Sequence, residues 1–256
     1  MGYKGLELDQ KVAVVVGGTS GIGRAIAIGL AQAGAHVVPT ARRESLVKQT
    51  VQEIILLGRN SISVTSDVEN RKSLESMVKK VIKKFGQIDI LVNSAGRTLK
   101  VPTVDMKEKD WDAILETNLT GVMRSCQVVG RQMIKQKSGR IINIASLASY
   151  VSLSQVTAYC VSKSGVAMLT KCLACEWAPY GINVNAIAPG VFRTSLNTKL
   201  LDGTQRGCDF IARTPKGRFG KVEELAGAAI FLASPAAEFV TGEVLTVDGG
   251  YLSFGV

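Results

Sequence analysis

A tyrosine and a lysine four residues apart, Tyr159 and Lys163, are the side chains of this sequence best placed for proton-transfer chemistry. They lie in a segment of helical pattern, so both side chains face the same side of one helix. An ammonium group close to a phenol stabilises the phenolate, so we expect the pKa of Tyr159 to lie below its ordinary value of about 10. The pair predicts a general acid or base.

A serine is expected to reach the same place. Ser146 ends the strand-like run 140–146, which comes directly before that helix. Ligands of parallel sheets bind at the carboxyl ends of the strands, where Ser146 would lie. A Tyr-x-x-x-Lys spacing is frequent by chance, and this position at the sheet edge is what makes the pair a candidate catalytic site.

Three glycines, Gly17, Gly21 and Gly23, separate the first strand-like run from the first helical segment. Glycine lets the backbone turn sharply and approach a pyrophosphate, whose charge the amides and positive end of the helix would hold. The alternative is a tight turn without a ligand. A Walker A loop is excluded because no Gly-Lys-Ser/Thr follows.

The end of the second strand-like run reads Thr40-Ala41-Arg42-Arg43, with no acid before Glu44. Dinucleotide sites place an acid there for the ribose 2′-hydroxyl of NAD(H) and an arginine for the 2′-phosphate of NADP(H). The sequence therefore favours NADP(H), with NAD(H) as the alternative. Arg24 could add to the positive field, and Arg42 and Arg43 could equally begin a surface helix.

Short β-branched runs alternate with helical segments along the whole chain. The runs cover 12–16, 36–40, 62–66, 88–92, 140–146, 182–188 and 243–247, and the helical segments cover 21–34, 43–58, a basic helix ending near 85, 107–137, 157–178 and 221–233. Runs without polar alternation are buried on both faces, which indicates a parallel sheet covered by helices. We predict one α/β domain over 1–256, a Rossmann-type, doubly wound parallel sheet of about seven strands.

Two segments depart from this regularity. Residues 191–220 are rich in glycine and proline and predict a mobile lid over the substrate. Pro39 lies inside an expected interior strand, where it removes a hydrogen-bond donor, so it predicts the end of the strand or a bulge.

Composition narrows the function classes. The net charge is +10, but each half of the chain carries +5, and aromatic residues make up 5%, so neither a basic tail nor a base-stacking stripe indicates nucleic-acid binding. The single histidine and one Cys-x-x-Cys pair in a helical segment do not predict a metal site. Five cysteines fit a reducing compartment, and no apolar run approaches the ~18 residues of a membrane span. With no targeting signal at its start, we expect a soluble, cytoplasmic protein.

Together these motifs resemble those of the short-chain dehydrogenase/reductase family, from Lys11 to Gly250. The family's glycine motif corresponds to 16–23, its Asn-Asn-Ala-Gly segment to 93–96, its adenine-side acid pair to 67–68 and its Pro-Gly turn to 189–190. Its catalytic asparagine, serine, tyrosine and lysine correspond to Asn118, Ser146, Tyr159 and Lys163. Motifs and resemblance together imply a cofactor site formed by Gly17, Thr19, Ser20, Gly21, Ile22, Gly23, Arg42, Arg43, Asp67, Val68, Asn93, Ala95, Gly96, Tyr159, Lys163, Pro189, Gly190, Val191 and Thr194.

The resemblance also implies a mechanism. Tyr159 would donate a proton to a substrate carbonyl, and Ser146 would hydrogen-bond the same oxygen. Lys163 would lower the pKa of Tyr159 and hold the nicotinamide ribose, and Asn118 would anchor a water that leads to solvent. Val16 and Ser94 depart from the family pattern, and we expect only local changes from them.

The sequence specifies the substrate less directly than it specifies the mechanism. The C-terminal half is similar to sugar-acid, polyol and 3-oxoacyl-carrier reductases, which implies a small carbonyl or alcohol substrate. Specificity is expected to reside in three segments, represented by Leu147, Ala148, Ser149, Tyr150 and Gln155, by Arg97 and Lys100, and by Phe192, Arg193 and Leu196. Arg97 and Lys100 follow a strand end, where a cation could meet a carboxylate or phosphate. They could equally be ordinary solvated charges.

The sequence leaves two alternative functions open, and the resemblance implies an oligomeric assembly. The fold could belong to a catalytically silent NADP-binding regulatory or scaffold protein, or, given the sequence pI near 9.5, to a nucleic-acid-binding protein. Apolar residues occupy more than one face of 107–137 and 157–178, the segments that family members use to assemble. The resemblance therefore implies a homotetramer, built as a dimer of dimers, in which Cys126, Cys172 and Cys175 are small buried hydrophobes.

Overall fold

A computed structural model describes residues 4–195 and 197–255 of the chain. Its centre is one parallel sheet with the strand order β2-β1-β3-β4-β5-β6. The strands are β1 (Val12–Val16), β2 (His36–Thr40), β3 (Ile90–Asn93), β4 (Gly139–Ile144), β5 (Ile182–Pro189) and β6 (Val244–Val247). Leu196, one of the expected specificity residues, lies outside the described residues.

Helices cover both faces of this sheet. They are α1 (Gly21–Gln32), α2 (Glu44–Leu56), α3 (Arg71–Phe85), α4 (Glu108–Leu115), α5 (Gly121–Gln136), α6 (Thr157–Trp177), α7 (Thr198–Leu201), α8 (Gln205–Ala212) and α9 (Ala226–Ala233). Alternate residues of β1 enter opposite cores: Val14 packs with α3, α5 and α6, and Val15 packs with α1 and α9. The predicted doubly wound α/β fold is confirmed.

The strand count is six, and the prediction of about seven was wrong at 62–66. The chain 60–66 passes beside β2 with few backbone hydrogen bonds. Val37 N donates to Asn60 O at 3.3 Å, and Ser66 N donates to the carbonyl of Ala41, the residue after β2, at 3.1 Å. Pro39 has its nitrogen on the same edge of β2 as Val37 N, since backbone donors alternate along a strand. The missing donor interrupts the ladder at this edge, and Pro39 neither ends β2 nor forms a bulge.

Two further segments bear on the site. The expected long helix 107–137 is interrupted by a π-helical turn, Glu116–Thr120, which contains Asn118. The expected lid 191–220 contains α7 and α8, and its Leu201 and Phe210 pack with Leu147 and Tyr251. The lid is therefore joined by apolar contacts to the loop that follows Ser146.

Candidate active site

A cavity of about 870 Å³ opens at the carboxyl ends of the strands. This volume lies within the range of small-molecule and cofactor sites. The predicted residues that line it are Gly17, Thr19, Ser20, Gly21, Ile22, Gly23, Arg42, Arg43, Asp67, Val68, Ala95, Gly96, Ser146, Tyr159, Lys163, Pro189, Gly190 and Thr194. The sequence therefore identified most of one continuous surface.

Three predicted residues lie outside the lining. Asn93 is buried below the cavity, where its amide donates to Asn143 Oδ1 at 2.9 Å and contacts Cys126. Val191 packs against the apolar cluster of the lid. Asn118 is fully buried behind the cavity wall, and its side chain contacts Arg97 and Ser162.

The glycine loop is shaped first by contacts within the protein. A Cβ on Gly17 would lie 2.6 Å from Ala95 N, and one on Gly23 would lie 2.1 Å from Gly17 O. Gly21 differs, because it has φ +50° and its only close neighbour is the methyl group of Thr194, 3.3 Å from the Cβ position. Two glycines thus allow the turn to close, and the third leaves a space between the loop and the start of the lid.

This space has the properties of an anion site. The N-cap of α1, Ser20, makes no side-chain capping bond, and no acidic residue occupies the first turn. The first amides of a helix have no partner within it, and here no described side chain supplies one. The loop, the helix end and the cavity volume together fit a dinucleotide, whose pyrophosphate the first turn of α1 would hold.

The end of β2 brings two arginines to the cavity. Arg42 and Arg43 are exposed at the end of β2, line the cavity and have no carboxylate partner among the described residues. Thr40 donates to Ser66 at 2.8 Å, which ties the end of β2 to the segment that carries Asp67. Arg24 instead pairs with Glu53 at 2.6 Å, so its charge is largely compensated.

Lys163 is a buried ammonium that has no carboxylate partner among the described residues. It donates to the Ile144 backbone carbonyl at 2.6 Å and is 5% exposed. Burial lowers the pKa of Lys163 from 10.5 to about 8, because the charged form loses its hydration. A proton on this group therefore becomes exchangeable close to neutral pH.

Tyr159 differs from the expectation. Burial raises the pKa of Tyr159 above its ordinary value, although the Ser146 hydroxyl acts in the opposite direction by hydrogen bonding to the phenol oxygen. The predicted lowering by Lys163 was wrong for the protein alone, because the Lys163 ammonium is directed at Ile144 and lies 5.7 Å from the Tyr159 ring centroid. The phenol is therefore protonated at neutral pH, as a proton donor must be.

Asn118 fixes the chain that follows β3. Its Oδ1 accepts from Arg97 N at 2.8 Å, and its Nδ2 donates to Arg97 O at 2.9 Å and to Ser162 Oγ at 3.1 Å. A Cβ on Gly96 would lie 3.5 Å from Asn118 Oδ1 and 3.9 Å from Lys163 Nζ, so the two side chains approach each other behind Gly96. π-helical turns are frequent at functional sites, and this one carries Asn118.

Sequence reasoning missed several polar residues of this region. Ser66, Glu69, Ser94 and Thr117 line the cavity, and Thr117 donates to Glu69 at 2.6 Å. Their positions next to Asp67, Asn93 and Asn118 were the available signal. The two departures from the family pattern are in contact, since Ser94 N donates to Val16 O at 2.8 Å.

The described part of the chain has neither a cluster of metal-binding side chains nor a helix suited to crossing a membrane. No group of three or more His, Cys, Asp or Glu side chains could hold a metal ion there. None of its helices combines the length and the apolar character that crossing a membrane requires.

Comparison with known proteins identifies the family. A family model described as enoyl-(acyl carrier protein) reductase, of the short-chain dehydrogenase type, matches residues 16–252. The chain belongs to the short-chain dehydrogenase/reductase family. It is 40% identical over 247 residues to a 2-dehydro-3-deoxy-D-gluconate 5-dehydrogenase of Dickeya dadantii, a match that covers 96% of this chain and 97% of the relative.

Two further proteins are similar to this chain over nearly its whole length. An NAD-dependent glycerol dehydrogenase of Listeria innocua is 42% identical over 255 residues, 98% of this chain and 99% of the relative. The crystal structure of a gluconate 5-dehydrogenase from Burkholderia cenocepacia, in complex with NADP and tartrate, superposes with a TM-score of 0.95 at 39% identity and 99% coverage of both chains. The chain is therefore a nicotinamide-dependent oxidoreductase.

Proposed function

We propose that this enzyme is an NADP-dependent dehydrogenase or reductase of a small polar ketone or secondary alcohol, of sugar-acid, polyol or 3-oxoacyl type. The observation that carries the proposal is one cavity wall on which Ser146, Tyr159 and Lys163 adjoin the glycine loop. No described feature favours a catalytically silent scaffold or a nucleic-acid-binding protein.

Different residues of the cavity bind different parts of the cofactor. When bound, the nicotinamide supplies or accepts the hydride. The glycine loop and first turn of α1 hold the pyrophosphate, and the Pro189–Gly190 turn with Thr194 borders the nicotinamide end. Asp67 and Val68 border the adenine, and Ala95 and Gly96 form the wall between the two ends.

Proton transfer belongs to the protein. Tyr159 Oη donates a proton to the substrate oxygen, while Ser146 Oγ donates a hydrogen bond to the same oxygen. The resulting phenolate is disfavoured by burial, and the nearby Lys163 ammonium stabilises it and returns a proton. Asn118 contributes by fixing the chain at Arg97 and Ser162, next to Lys163.

A substrate screen tests the function. Ketones, aldehydes, sugar acids and polyols are incubated with NADP(H) and with NAD(H), and nicotinamide absorbance is followed. We expect turnover of at least one polar ketone or secondary alcohol, with NADP(H) preferred. Stoichiometric cofactor binding with no turnover of any compound would instead support the silent protein.

Cofactor preference is expected to depend on Arg42 and Arg43. Replacing both with alanine removes two guanidinium groups from the 2′-phosphate position, so we expect KM for NADP(H) to rise at least tenfold, with KM for NAD(H) nearly unchanged. Steady-state kinetics with each cofactor measures this. Arg24→Ala is the matched control, since that arginine pairs with Glu53. Equal changes for both cofactors would contradict the assignment.

Assembly and location are proposals as well. The exposed side of α6 carries Val161, Met168, Cys172 and Cys175, an apolar stripe that fits the homotetramer implied by the family. Cys126 is buried in the protomer as expected, whereas Cys172 and Cys175 are exposed on it and require a partner subunit to be covered. We expect a tetrameric mass in solution and a cytoplasmic location; a monomeric mass would contradict the assembly.

A further inference from the structure

The arginines of this protein differ in whether a carboxylate compensates their charge. Six of those described pair with a carboxylate, namely Arg24, Arg59, Arg124, Arg140, Arg193 and Arg218. The three that line the cavity, Arg42, Arg43 and Arg97, have no such partner in the described part of the chain. Arg42 and Arg43 lie at the end of β2, where the adenosine phosphate is expected. Arg71, Arg131, Arg206 and Arg213 also have no salt bridge in the described part of the chain, but they do not line the cavity. Among the three cavity arginines, Arg97 is therefore the one that the cofactor does not account for.

The backbone places Arg97 on the catalytic side of the cavity. It follows β3, whose neighbour β4 leads directly to Ser146. Both backbone groups of Arg97 are bonded to the Asn118 side chain, at 2.8 and 2.9 Å. The adjoining Gly96 lies beside Lys163, as its Cβ position, 3.9 Å from Nζ, indicates. The backbone that carries this guanidinium is thus held in place next to the proton-transfer residues.

The same segment also borders the substrate loop. Val101 N donates to Gln155 O at 2.8 Å, so the chain from Arg97 to Val101 runs from the cavity to the loop that enters α6. Residues 147–156 of that loop contain no charged side chain. This loop therefore supplies no carboxylate that would compete with an anionic ligand for the guanidinium.

We propose that Arg97 binds the carboxylate of the substrate, so that the natural substrate is a hydroxy acid or keto acid. The inference rests on the proposed function, because it names the substrate class of the same site. An arginine fork accepts a carboxylate through two parallel hydrogen bonds, which both anchors and orients it. The hydroxyl groups of a neutral polyol cannot replace that charge-assisted contact. Arg97 acts on substrate binding and does not touch the reacting carbon.

The first test compares a matched pair of substrates. 5-Keto-D-gluconate and L-sorbose carry the same ketone and differ in a carboxylate against a primary alcohol. We expect the wild-type enzyme with NADPH to favour the acid in kcat/KM, and Arg97→Gln to raise KM for the acid about tenfold or more with kcat little changed. Lys79→Gln, which removes an exposed charge from α3, is the control. An unchanged KM for the acid in Arg97→Gln would overturn the proposal.

A second measurement does not need turnover. Calorimetric titration of the enzyme–NADP complex with L-tartrate, a dicarboxylate, is expected to show binding that Arg97→Gln weakens about tenfold and Arg97→Lys weakens less. Equal tartrate affinity in wild type and Arg97→Gln, or no binding at millimolar concentration to the wild type, would overturn the proposal. Turnover of neutral ketones together with either result would leave the dehydrogenase function standing, so the two failures are distinguishable.

Discussion

Replacing Tyr159 with phenylalanine is expected to lower kcat by ~10² to 10⁴-fold, the usual contribution of general acid–base catalysis. The substitution removes one oxygen atom and leaves the ring that packs beside Lys163, 5.7 Å from its Nζ. Cofactor affinity should stay within about twofold of wild type, because the glycine loop and Arg42 and Arg43 are untouched. Steady-state kinetics and a fluorescence titration with NADPH measure the two effects separately.

The control for this experiment is Tyr180→Phe. Tyr180 is an exposed phenol at the end of the segment after α6, and its loss should change neither kcat nor cofactor affinity. Near-normal turnover in Tyr159→Phe would refute the catalytic assignment. Loss of cofactor binding in the same variant would show that the phenol serves the cofactor pocket and not the proton.

The fold could be predicted from the sequence because hydrophobic period and order of elements are local signals. β1 is a continuous apolar run, and β3, β4 and β5 are mostly apolar and buried at nearly every position, as is typical of a buried parallel sheet. The segment 62–66 shares the β-branched residues of these runs, yet a strand also needs a partner with free donors. Pro39 on the neighbouring strand removes one such donor. Strand pairing therefore depends on two segments, and the pattern of one segment alone does not reveal it.

The site shows the same division between local and non-local information. Spacing placed Tyr159 and Lys163 on one face of α6, and the motif at the end of β4 placed Ser146 beside them. The pKa of Tyr159 is raised, whereas the spacing predicted a lowered value, because the pKa depends on how deeply the phenol is buried and where the Lys163 ammonium points. Burial and direction are set by packing of β4 against α6, and no spacing along the chain encodes them.

The buried ammonium of Lys163 is expected to lower the free energy of unfolding of the cofactor-free protein, although catalysis requires it. The difference between the ordinary pKa of 10.5 and the value of about 8 in the folded protein corresponds to about 3 kcal/mol. Below pH 8 the lysine is charged in both folded and unfolded chains, so the whole cost is present. Between pH 8 and 10.5 the folded chain binds fewer protons than the unfolded chain, and stability due to this group rises with pH.

Lys163→Met should therefore have two opposite effects. Turnover is expected to fall by at least ~10²-fold, because the phenolate of Tyr159 loses its neighbouring cation and its source of protons. The free energy of unfolding of the cofactor-free protein is expected to rise by about 2 kcal/mol at pH 7, since an apolar side chain of similar length avoids the desolvation cost and loses only the hydrogen bond to Ile144 O.

The pH dependence separates this explanation from a general gain in packing. The stability difference between Lys163→Met and wild type, from urea unfolding at pH 6, 7, 8 and 9, should be constant to about pH 8 and then shrink, because the wild type loses its penalty as the lysine becomes neutral. In this difference, the contributions of tyrosines and other groups that titrate in the same pH range in both proteins cancel. Lys79→Met, at an exposed position of α3, should show no such pH dependence. A variant less stable than wild type at pH 7, or a difference that grows above pH 8, would mean that the buried ammonium is stabilised by contacts other than the bond to Ile144.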